Sequence, residues 1–182
     1  YLHSFGLTRR YVVMLTQPYN FNMAKFLSPD RGPIITNYEW HPELPSQIIL
    51  VDRKRGGVVK TFETDAFFAF HHINAYEKGD RVIVDVCAHK DAGVIDALYL
   101  KRIRKDHDVP QARYRRFEVN PSNGKLSKRD LIDAVIELPQ KNYDAVNGRH
   151  YRYAYGVGLR SANSGYIDQL VKADVKTGRS KI

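Results

Sequence analysis

Residues 47–62 read QIILV-DRKRGG-VVKTF, and this stretch constrains the fold more than any other part of the chain. Two apolar runs of strand length, rich in β-branched residues, flank a polar segment that begins with Asp and ends with Gly. In turns, Asp hydrogen-bonds its own backbone, and Gly adopts the positive φ that reverses the chain direction. The stretch therefore predicts a β-hairpin.

The same plan recurs at two other places in the sequence. Asp52, Asn120 and Asp174 each follow an apolar run and precede a glycine by four residues, and their spacings are 68 and 54 residues. Repeats of that length, each with about four short strands, favour propeller blades over a sandwich. A propeller has about 4–8 blades, so a chain with about three repeats would form part of a ring. The alternative is an all-β protein of another architecture, because Asx-Gly hairpins are common to the whole class.

The remaining apolar runs are also short, rich in Val, Ile, Tyr and Phe, and bounded by Gly, Asn, Asp or Pro, as is typical of strands. One short helix is predicted at Ala92–Leu98. These patterns predict an all-β chain, and if the repeats are blades, residues 1–182 form one partial β-propeller. The further predicted strands are Tyr11–Leu15, Phe67–Phe70, Arg81–Cys87, Ala112–Val119, Leu131–Leu138, Tyr151–Val157 and Tyr166–Val175.

Composition excludes several classes of protein. The chain has 182 residues, of which 43% are apolar and 12% aromatic, and this excludes a disordered segment. No apolar run approaches the roughly 20 residues that a transmembrane helix needs. The single cysteine, Cys87, cannot form an internal disulfide, so a reducing compartment and a cytoplasmic location are expected.

The formal net charge is +9, from 29 basic and 20 acidic residues, and part of the excess is clustered at Lys101–Lys105 and Arg113–Arg116. Basic residues among aromatic ones are typical of nucleic-acid surfaces. They are also typical of proteins that contact anionic membranes from one side. The third interpretation is a solvated face whose acidic partners lie outside the chain. We favour this last interpretation, with peripheral membrane contact second and nucleic acid as an unlikely partner.

The seven histidines include no close helical pair, and one cysteine excludes a cysteine-rich zinc site. His3 and His71 stand beside apolar stretches, where an imidazole is either a core residue or a metal ligand. From the residues alone, the core interpretation is favoured. Apart from these two and His72, the four remaining histidines have polar neighbours and are predicted to be solvated; they are His41, His89, His107 and His150.

Three motifs resemble signatures of the carotenoid cleavage oxygenase family. Residues 70–77 read FHHINAYE and are followed by VIVD at 82–85. Residues 2–8 read LHSFGLT with YVV at 11–13, and residues 136–139 read IELP with YRYAYG at 151–156. The motifs occur in the family's order, and the resemblance covers essentially the whole chain. It implies a seven-bladed β-propeller with Fe(II) on its axis, held by four histidines from different blades.

The resemblance also assigns roles to individual residues. His3 and His71 would be two of the four iron ligands, and His72 would point to the opposite side of its strand. Glu137 would accept a hydrogen bond from a ligand histidine, as carboxylates beside metal-bound histidines commonly do. Tyr1 matches a position that lines the substrate cleft, and Tyr99 is a weaker candidate for the same cavity. The other two histidines and about four blades are not in this chain, so the remainder of the propeller is expected to be required.

The implied activity is the addition of both atoms of O2 across a C=C bond of a lipophilic polyene, a carotenoid or an apocarotenoid, which yields aldehyde or ketone products. Within the family, a lignostilbene-type stilbene dioxygenase and a retinoid isomerohydrolase are alternatives. An alternative of another class is a non-catalytic propeller segment used for binding, in which His3 and His71 are core residues.

Overall fold

A computed structural model of the chain describes residues 1–105, 109–160 and 167–182. Within these residues the secondary structure is mostly antiparallel strand, with four short helices and one 3₁₀ turn. The helices are α1 (Met23–Leu27), α2 (Gly93–Ala97), α3 (Leu100–Ile103) and α4 (Tyr143–Val146), and the 3₁₀ turn spans Ile34–Asn37. The strands are β1 (Phe5–Leu7), β2 (Tyr11–Thr16), β3 (Tyr19–Phe21), β4 (Tyr38–Trp40), β5 (Ser46–Asp52), β6 (Val58–Thr64), β7 (His72–Lys78), β8 (Arg81–Ala88), β9 (Arg113–Val119), β10 (Leu126–Val135), β11 (Glu137–Gln140), β12 (Tyr153–Gly158), β13 (Gln169–Asp174) and β14 (Arg179–Lys181).

Twelve of these strands form three four-stranded antiparallel sheets that follow one another along the chain. Their strand orders are β1-β2-β5-β6, β7-β8-β9-β10 and β11-β12-β13-β14, which we call the first, second and third blades. The β3–β4 hairpin is inserted between the second and third strands of the first blade. Consecutive four-stranded meanders of this kind are the unit of a β-propeller. The all-β prediction is confirmed.

The repeated turn joins the third and fourth strands of every blade. Asp52, Asn120 and Asp174 each accept hydrogen bonds at Oδ1 from the backbone N–H groups two and three residues ahead. In each turn the glycine four residues on donates its N–H to the backbone carbonyl of the Asx residue. These glycines are Gly56, Gly124 and Gly178, with φ of 73°, 76° and 71°. The hairpin prediction is confirmed at all three positions.

Strand β8 contributes to two cores, one on each face of the second blade. Its even-numbered residues Val82, Val84 and Val86 pack in the core between the first and second blades. Its odd-numbered residues Ile83 and Cys87 pack in the core between the second and third blades. Because the second blade has a neighbour on each face, both sides of its central strand are buried. The strand is therefore almost continuously apolar.

The first strands of the three blades lie side by side, with β1 next to β7 and β7 next to β11. Gly6 makes the first approach close, because a Cβ atom there would lie 2.8 Å from the Cβ of Ala75. His3 precedes β1, His71 precedes β7, and Glu137 begins β11. The topology thus brings these three residues to one end of three neighbouring strands.

Two strand predictions are wrong in detail. Phe67–Phe70 forms only an isolated bridge between Phe68 and His89 and otherwise leads, buried, into β7. The run Leu131–Leu138 is divided, because β10 ends one blade and β11 begins the next on either side of Ile136. In both cases the apolar run indicates that the segment is buried. Periodicity alone does not show whether a buried segment pairs as one continuous strand.

The other strand predictions match observed strands to within a few residues, and the predicted helix Ala92–Leu98 contains α2. Tyr166, the first residue of the last predicted strand, and His107 lie outside the described residues. Among the described helices, none is long and apolar enough to cross a membrane.

The basic run Arg113–Arg116 is not a free cationic surface. Arg115 pairs with Asp130 at 2.7 Å, and Arg116 is buried and pairs with Asp85. The interpretation that its acidic partners lie outside the chain is therefore wrong for these two arginines, because β8 and β10 on either side of β9 supply them.

Candidate metal centre

His3 and His71 come together although 68 residues separate them in sequence. Their ring centroids are 5.0 Å apart and the rings are nearly perpendicular. His3 Nδ1 lies 3.0 Å from the carbonyl oxygen of Phe70, and His71 Nδ1 lies 2.6 Å from Oε2 of Glu137. A carbonyl and a carboxylate can only accept, so each ring donates from Nδ1, and in a neutral imidazole the lone pair is then on Nε2. Among the hydrogen bonds of the described residues, none involves either Nε2.

Glu137 is a largely buried carboxylate with three donors. Oε2 accepts from His71 Nδ1 and from the backbone N–H of Leu138 at 2.8 Å, and Oε1 accepts from His89 Nε2 at 2.9 Å. Burial would raise the pKa of Glu137, but the hydrogen bonds from His71, His89 and Leu138 outweigh it and lower the pKa to about 2. Glu137 is therefore ionised at neutral pH.

The backbone around Glu137 is irregular and aims its side chain. The pairing of β11 with β12 shifts register between Glu137 and Gln140, and Leu138 has φ of 46°, which is unusual for a residue other than glycine. On β12, a Cβ atom at Gly156 would lie 2.5 Å from Cγ1 of Ile136. A register shift re-aims side chains, and strained backbone is commonly found at functional sites.

His89 is a site residue that the sequence analysis misjudged. It was predicted to be solvated because Lys90 and Asp91 follow it, but it is only 2% exposed. Besides Glu137, it contacts the carbonyl oxygen of Pro110, 3.1 Å from Nδ1. One signal could have identified it: the odd-numbered residues of β8 face the third blade, and residue 89 continues that alternation.

Three further histidines of the described residues have other partners. His41 is partly exposed and contacts Glu43. His150 is exposed, in agreement with the prediction, and its ring packs on that of Tyr76. His72 points away from His71 and contacts the Ser4 hydroxyl through Nδ1 at 2.9 Å.

An apolar cavity of about 300 Å³ adjoins the cluster, and His3, His71, His89 and Glu137 all contribute to its wall. Most of the remaining wall is apolar, so the cavity would accept a hydrocarbon ligand beside the imidazoles. Its apolar lining includes Phe70, Val94, Leu98, Val109, Val157 and Leu159.

The two predicted cleft tyrosines are placed differently. The Tyr1 ring lies 6.4 Å from that of His3 and stacks on Phe68 at 5.6 Å, beside the cavity but outside its lining residues. Tyr99 lines a second cavity, together with Tyr19 and Trp40. The structure therefore brings together His3, His71 and Glu137, keeps Tyr1 adjacent, and leaves Tyr99 apart.

The donor set fits part of a metal site. Two imidazoles have no hydrogen bond at Nε2 from the described residues, and one of them donates its other N–H to a carboxylate, the arrangement common around metal-bound histidines. In the part of the chain that the structure describes, no group of three or more His, Cys, Asp or Glu could hold an ion. A complete site would need further ligands.

Comparison with known proteins agrees with the geometry. The model of the retinal pigment epithelial membrane protein family matches residues 1–182. Carotenoid isomerooxygenase of Galleria mellonella is 35% identical over 100% of this chain and 37% of its own length. Beta,beta-carotene 15,15'-dioxygenase of Gallus gallus is 31% identical over 88% of this chain and 36% of its own length.

The cobalt-substituted Synechocystis ACO, an apocarotenoid oxygenase with a propeller fold, superposes with a TM-score of 0.86 at 26% identity. The superposition covers 100% of this chain and 37% of that structure, and it confirms the prediction of about three blades of a seven-bladed β-propeller. The chain thus spans little more than a third of the length of these relatives. Because the family model matches the chain from Tyr1 to Ile182, the chain belongs to the carotenoid cleavage oxygenase family.

Proposed function

We propose that the polypeptide containing this chain cleaves a C=C bond of a carotenoid or apocarotenoid with O2 and releases aldehyde or ketone products. The observation that carries the proposal is the proximity of His3 and His71 beside an apolar cavity, with no hydrogen bond at either Nε2 from the described residues. The curated relatives named above, a carotenoid isomerooxygenase and a carotene dioxygenase, support the same substrate class.

In this proposal His3 and His71 provide two of the ligands to Fe(II). Neutral imidazole suits Fe(II), and activation of O2 is the chemistry that bound iron supplies. The Phe70 carbonyl fixes the orientation of the His3 ring, and Glu137 fixes that of His71. Both contacts keep the proton on Nδ1 and the lone pair on Nε2.

The cavity would hold the polyene and exclude water from the reacting bond. Its wall combines apolar side chains with three imidazoles, so a double bond could be placed next to the histidines. Tyr1 is proposed to border the substrate where its ring adjoins His3. Tyr99 would contact the substrate only if the substrate also extends into the second cavity.

The proposal is tested with the full-length polypeptide, purified with iron. His71→Ala should lose most bound iron, measured by elemental analysis, and should form no aldehyde from a carotenoid or apocarotenoid, measured by chromatography. His41→Ala removes a partly exposed histidine away from the cavity and is the matched control. Full iron content and product formation in His71→Ala would contradict the proposal.

A second candidate is cleavage coupled to isomerisation of the polyene. The Galleria mellonella relative is named an isomerooxygenase, and it is 35% identical over the whole chain. The two candidates differ in the double-bond geometry of the product. Chromatography that separates cis from trans products from an all-trans substrate would distinguish them.

We also propose that residues 1–182 act as one partial propeller that requires the remaining blades. The strand β6 at the edge of the first blade exposes Val58 (63%) and Val59 (45%), and exposed apolar edges favour association. Expressed alone, the segment should aggregate or bind other chains in gel filtration. A monomer that unfolds cooperatively would contradict this proposal.

Peripheral membrane contact is proposed at the segment of α1 and the following turn. Met23, Leu27 and Ile34 are 59%, 71% and 65% exposed, and Lys25 and Arg31 add positive charge beside them. Apolar side chains with neighbouring cations are typical of segments that lie in a membrane interface. Leu27→Ser should reduce co-sedimentation with anionic vesicles, whereas Leu170→Ser, at an equally exposed site on β13, should not. The cytoplasmic location stays a prediction.

A further inference from the structure

His89 fixes the second oxygen of Glu137. Nε2 of His89 lies 2.9 Å from Oε1, and Nδ1 lies 3.1 Å from the carbonyl oxygen of Pro110. The carboxylate only accepts, so Nε2 donates its N–H to Oε1. The imidazole also packs edge-on against Phe70, with ring centroids 5.8 Å apart, and beside Phe68. A polar contact at each nitrogen and the two phenylalanine rings beside it hold the His89 ring in one orientation.

The two oxygens of Glu137 have different partners. Oε2 serves His71 and the backbone N–H of Leu138, whereas among the described residues His89 is the donor to Oε1. Without that donor, Oε1 would be a largely buried carboxylate oxygen lacking a hydrogen bond, which is costly. The carboxylate would then gain by turning toward solvent or another donor, and Oε2 would move away from His71.

We infer that His89 is a positioning residue for the metal centre. It anchors Oε1 of Glu137, so that Oε2 stays directed at His71 Nδ1 and His71 Nε2 stays directed at the metal. The inference rests on the proposed function, in which His71 is a metal ligand. His89 directly follows β8. The inference therefore adds a residue at the end of β8 to a site otherwise built from the segments at β1, β7 and β11.

The test uses the full-length polypeptide and Co(II) as the probe, since a solved relative holds cobalt. His89→Phe keeps the ring but removes both hydrogen bonds, and the Co(II) dissociation constant should rise about 10–100-fold. His89→Gln keeps an N–H donor within reach of Glu137 and should recover part of the affinity. Tyr151→Phe is the matched control, because it also removes a hydrogen bond from a buried ring, yet at Asp85 rather than at the cavity. Its Co(II) affinity should equal that of the wild type.

A crystal structure of metal-free His89→Phe provides a readout that does not depend on bound metal. The distance between Glu137 Oε2 and His71 Nδ1, 2.6 Å here, should exceed the hydrogen-bond range of about 3.2 Å. An unchanged distance, or wild-type Co(II) affinity in His89→Phe, would overturn the inference, as would a His89→Gln variant no better than His89→Phe. If the wild type binds no Co(II) but Glu137 still moves in the variant, the proposed function fails and the anchoring of Glu137 stands.

Discussion

Asp85 and Glu137 are both buried carboxylates, and the chain neutralises them in different ways. Asp85, fully buried on β8, receives the Arg116 guanidinium through Nε at 2.8 Å and Nη2 at 2.7 Å. The hydroxyls of Tyr114 and Tyr151 add further hydrogen bonds. Glu137 instead receives two imidazoles and one backbone N–H, and it lines a cavity.

The difference in partners indicates a difference in role. A guanidinium is always charged and binds a carboxylate through two parallel hydrogen bonds. We call the Asp85–Arg116 pair closed, because each partner is neutralised by the other and the pair stays charged at every pH near neutral. Burial raises the pKa of Tyr114 and of Tyr151, so both hydroxyls keep their protons at neutral pH. The His71 imidazole, by contrast, has a second nitrogen, Nε2, that can bind something else. The Asp85 cluster therefore holds the second and third blades together, whereas the Glu137 cluster presents His71 to the cavity.

The largest expected effect comes from breaking the closed pair. Asp85→Asn leaves Arg116 as a buried charge without its carboxylate, and removal of one partner of such a pair costs about 3–5 kcal/mol of the free energy of unfolding. Urea denaturation of the full-length protein measures this loss. The double variant Asp85→Leu/Arg116→Met should recover much of it, since no charge is left unpaired. Metal content per folded molecule should not change, and a loss of metal at full stability would contradict the division of roles.

The second effect is the pH dependence of stability that Glu137 contributes. Burial would raise its pKa, but hydrogen bonds lower it to about 2, below the 4.5 of an unpaired glutamate. As pH falls below 4.5 the unfolded chain takes up the proton first, so the stabilisation present above pH 4.5 is lost between pH 4.5 and 2. The loss is about 1.4 kcal/mol per pH unit, or about 3 kcal/mol in all.

Urea denaturation of the metal-free wild type and of Glu137→Gln between pH 6 and 3 checks this prediction. Burial lowers the pKa of His72 to about 4, so His72 destabilises both proteins as pH falls from 6.5 toward 4. The difference between the two proteins removes that shared part. It should be largest above pH 4.5 and should shrink as pH falls; a difference that is constant with pH would contradict the lowered pKa of Glu137.

The two clusters also show what could be predicted from the sequence. The hairpin at residues 52–56 was predictable because its signal is local: one side chain binds the next backbone amides, and a glycine completes the turn. The division between β10 and β11 was not predictable, because the last strand of one blade and the first strand of the next form one apolar run in the sequence. The Asp85–Arg116 pair was not predicted either, since it depends on the register of β8 against β9.

At the candidate site, the sequence indicated His3, His71 and Glu137 only through the resemblance of their motifs to a family. Their roles as ligands and partner remain predictions, while their proximity is observed. His89 was missed because its polar neighbours suggest solvent. Its burial comes from contacts with Glu137 of the third blade and with Pro110 on the segment before β9, and no local pattern contains these contacts.

The third effect concerns the metal. Glu137→Gln replaces a group that accepts three hydrogen bonds with an amide whose NH₂ would face one of the donors. Loss of such a carboxylate typically weakens metal affinity or activity about 10–100-fold, with the fold retained. Titration of the full-length variant with Co(II) measures the change. Glu77→Gln is the matched control, because Glu77 also accepts from three donors but lies away from the cavity. Equal Co(II) affinity in Glu137→Gln and Glu77→Gln would contradict a role of Glu137 at the metal.

The smallest effect is expected where a carboxylate pairs at the surface. Arg10 and Glu77 form an ion pair at 2.6 Å, but the Arg10 side chain is 51% exposed. Water screens such a pair, so Arg10→Met should cost roughly 0.2–1 kcal/mol of the free energy of unfolding. Glu77 keeps hydrogen bonds from the Thr8 hydroxyl and from the backbone N–H of residue 10.

Salt separates this surface pair from the buried one. In 1 M NaCl the Debye length falls to about 3 Å, comparable to the 2.6 Å of this pair, so the cost of Arg10→Met in urea denaturation should fall clearly. The cost of Asp85→Asn should persist, because ions do not reach a fully buried carboxylate. If salt reduced both costs equally, the Asp85–Arg116 pair would be solvated in solution, and the contrast between a closed pair and an open site would fail.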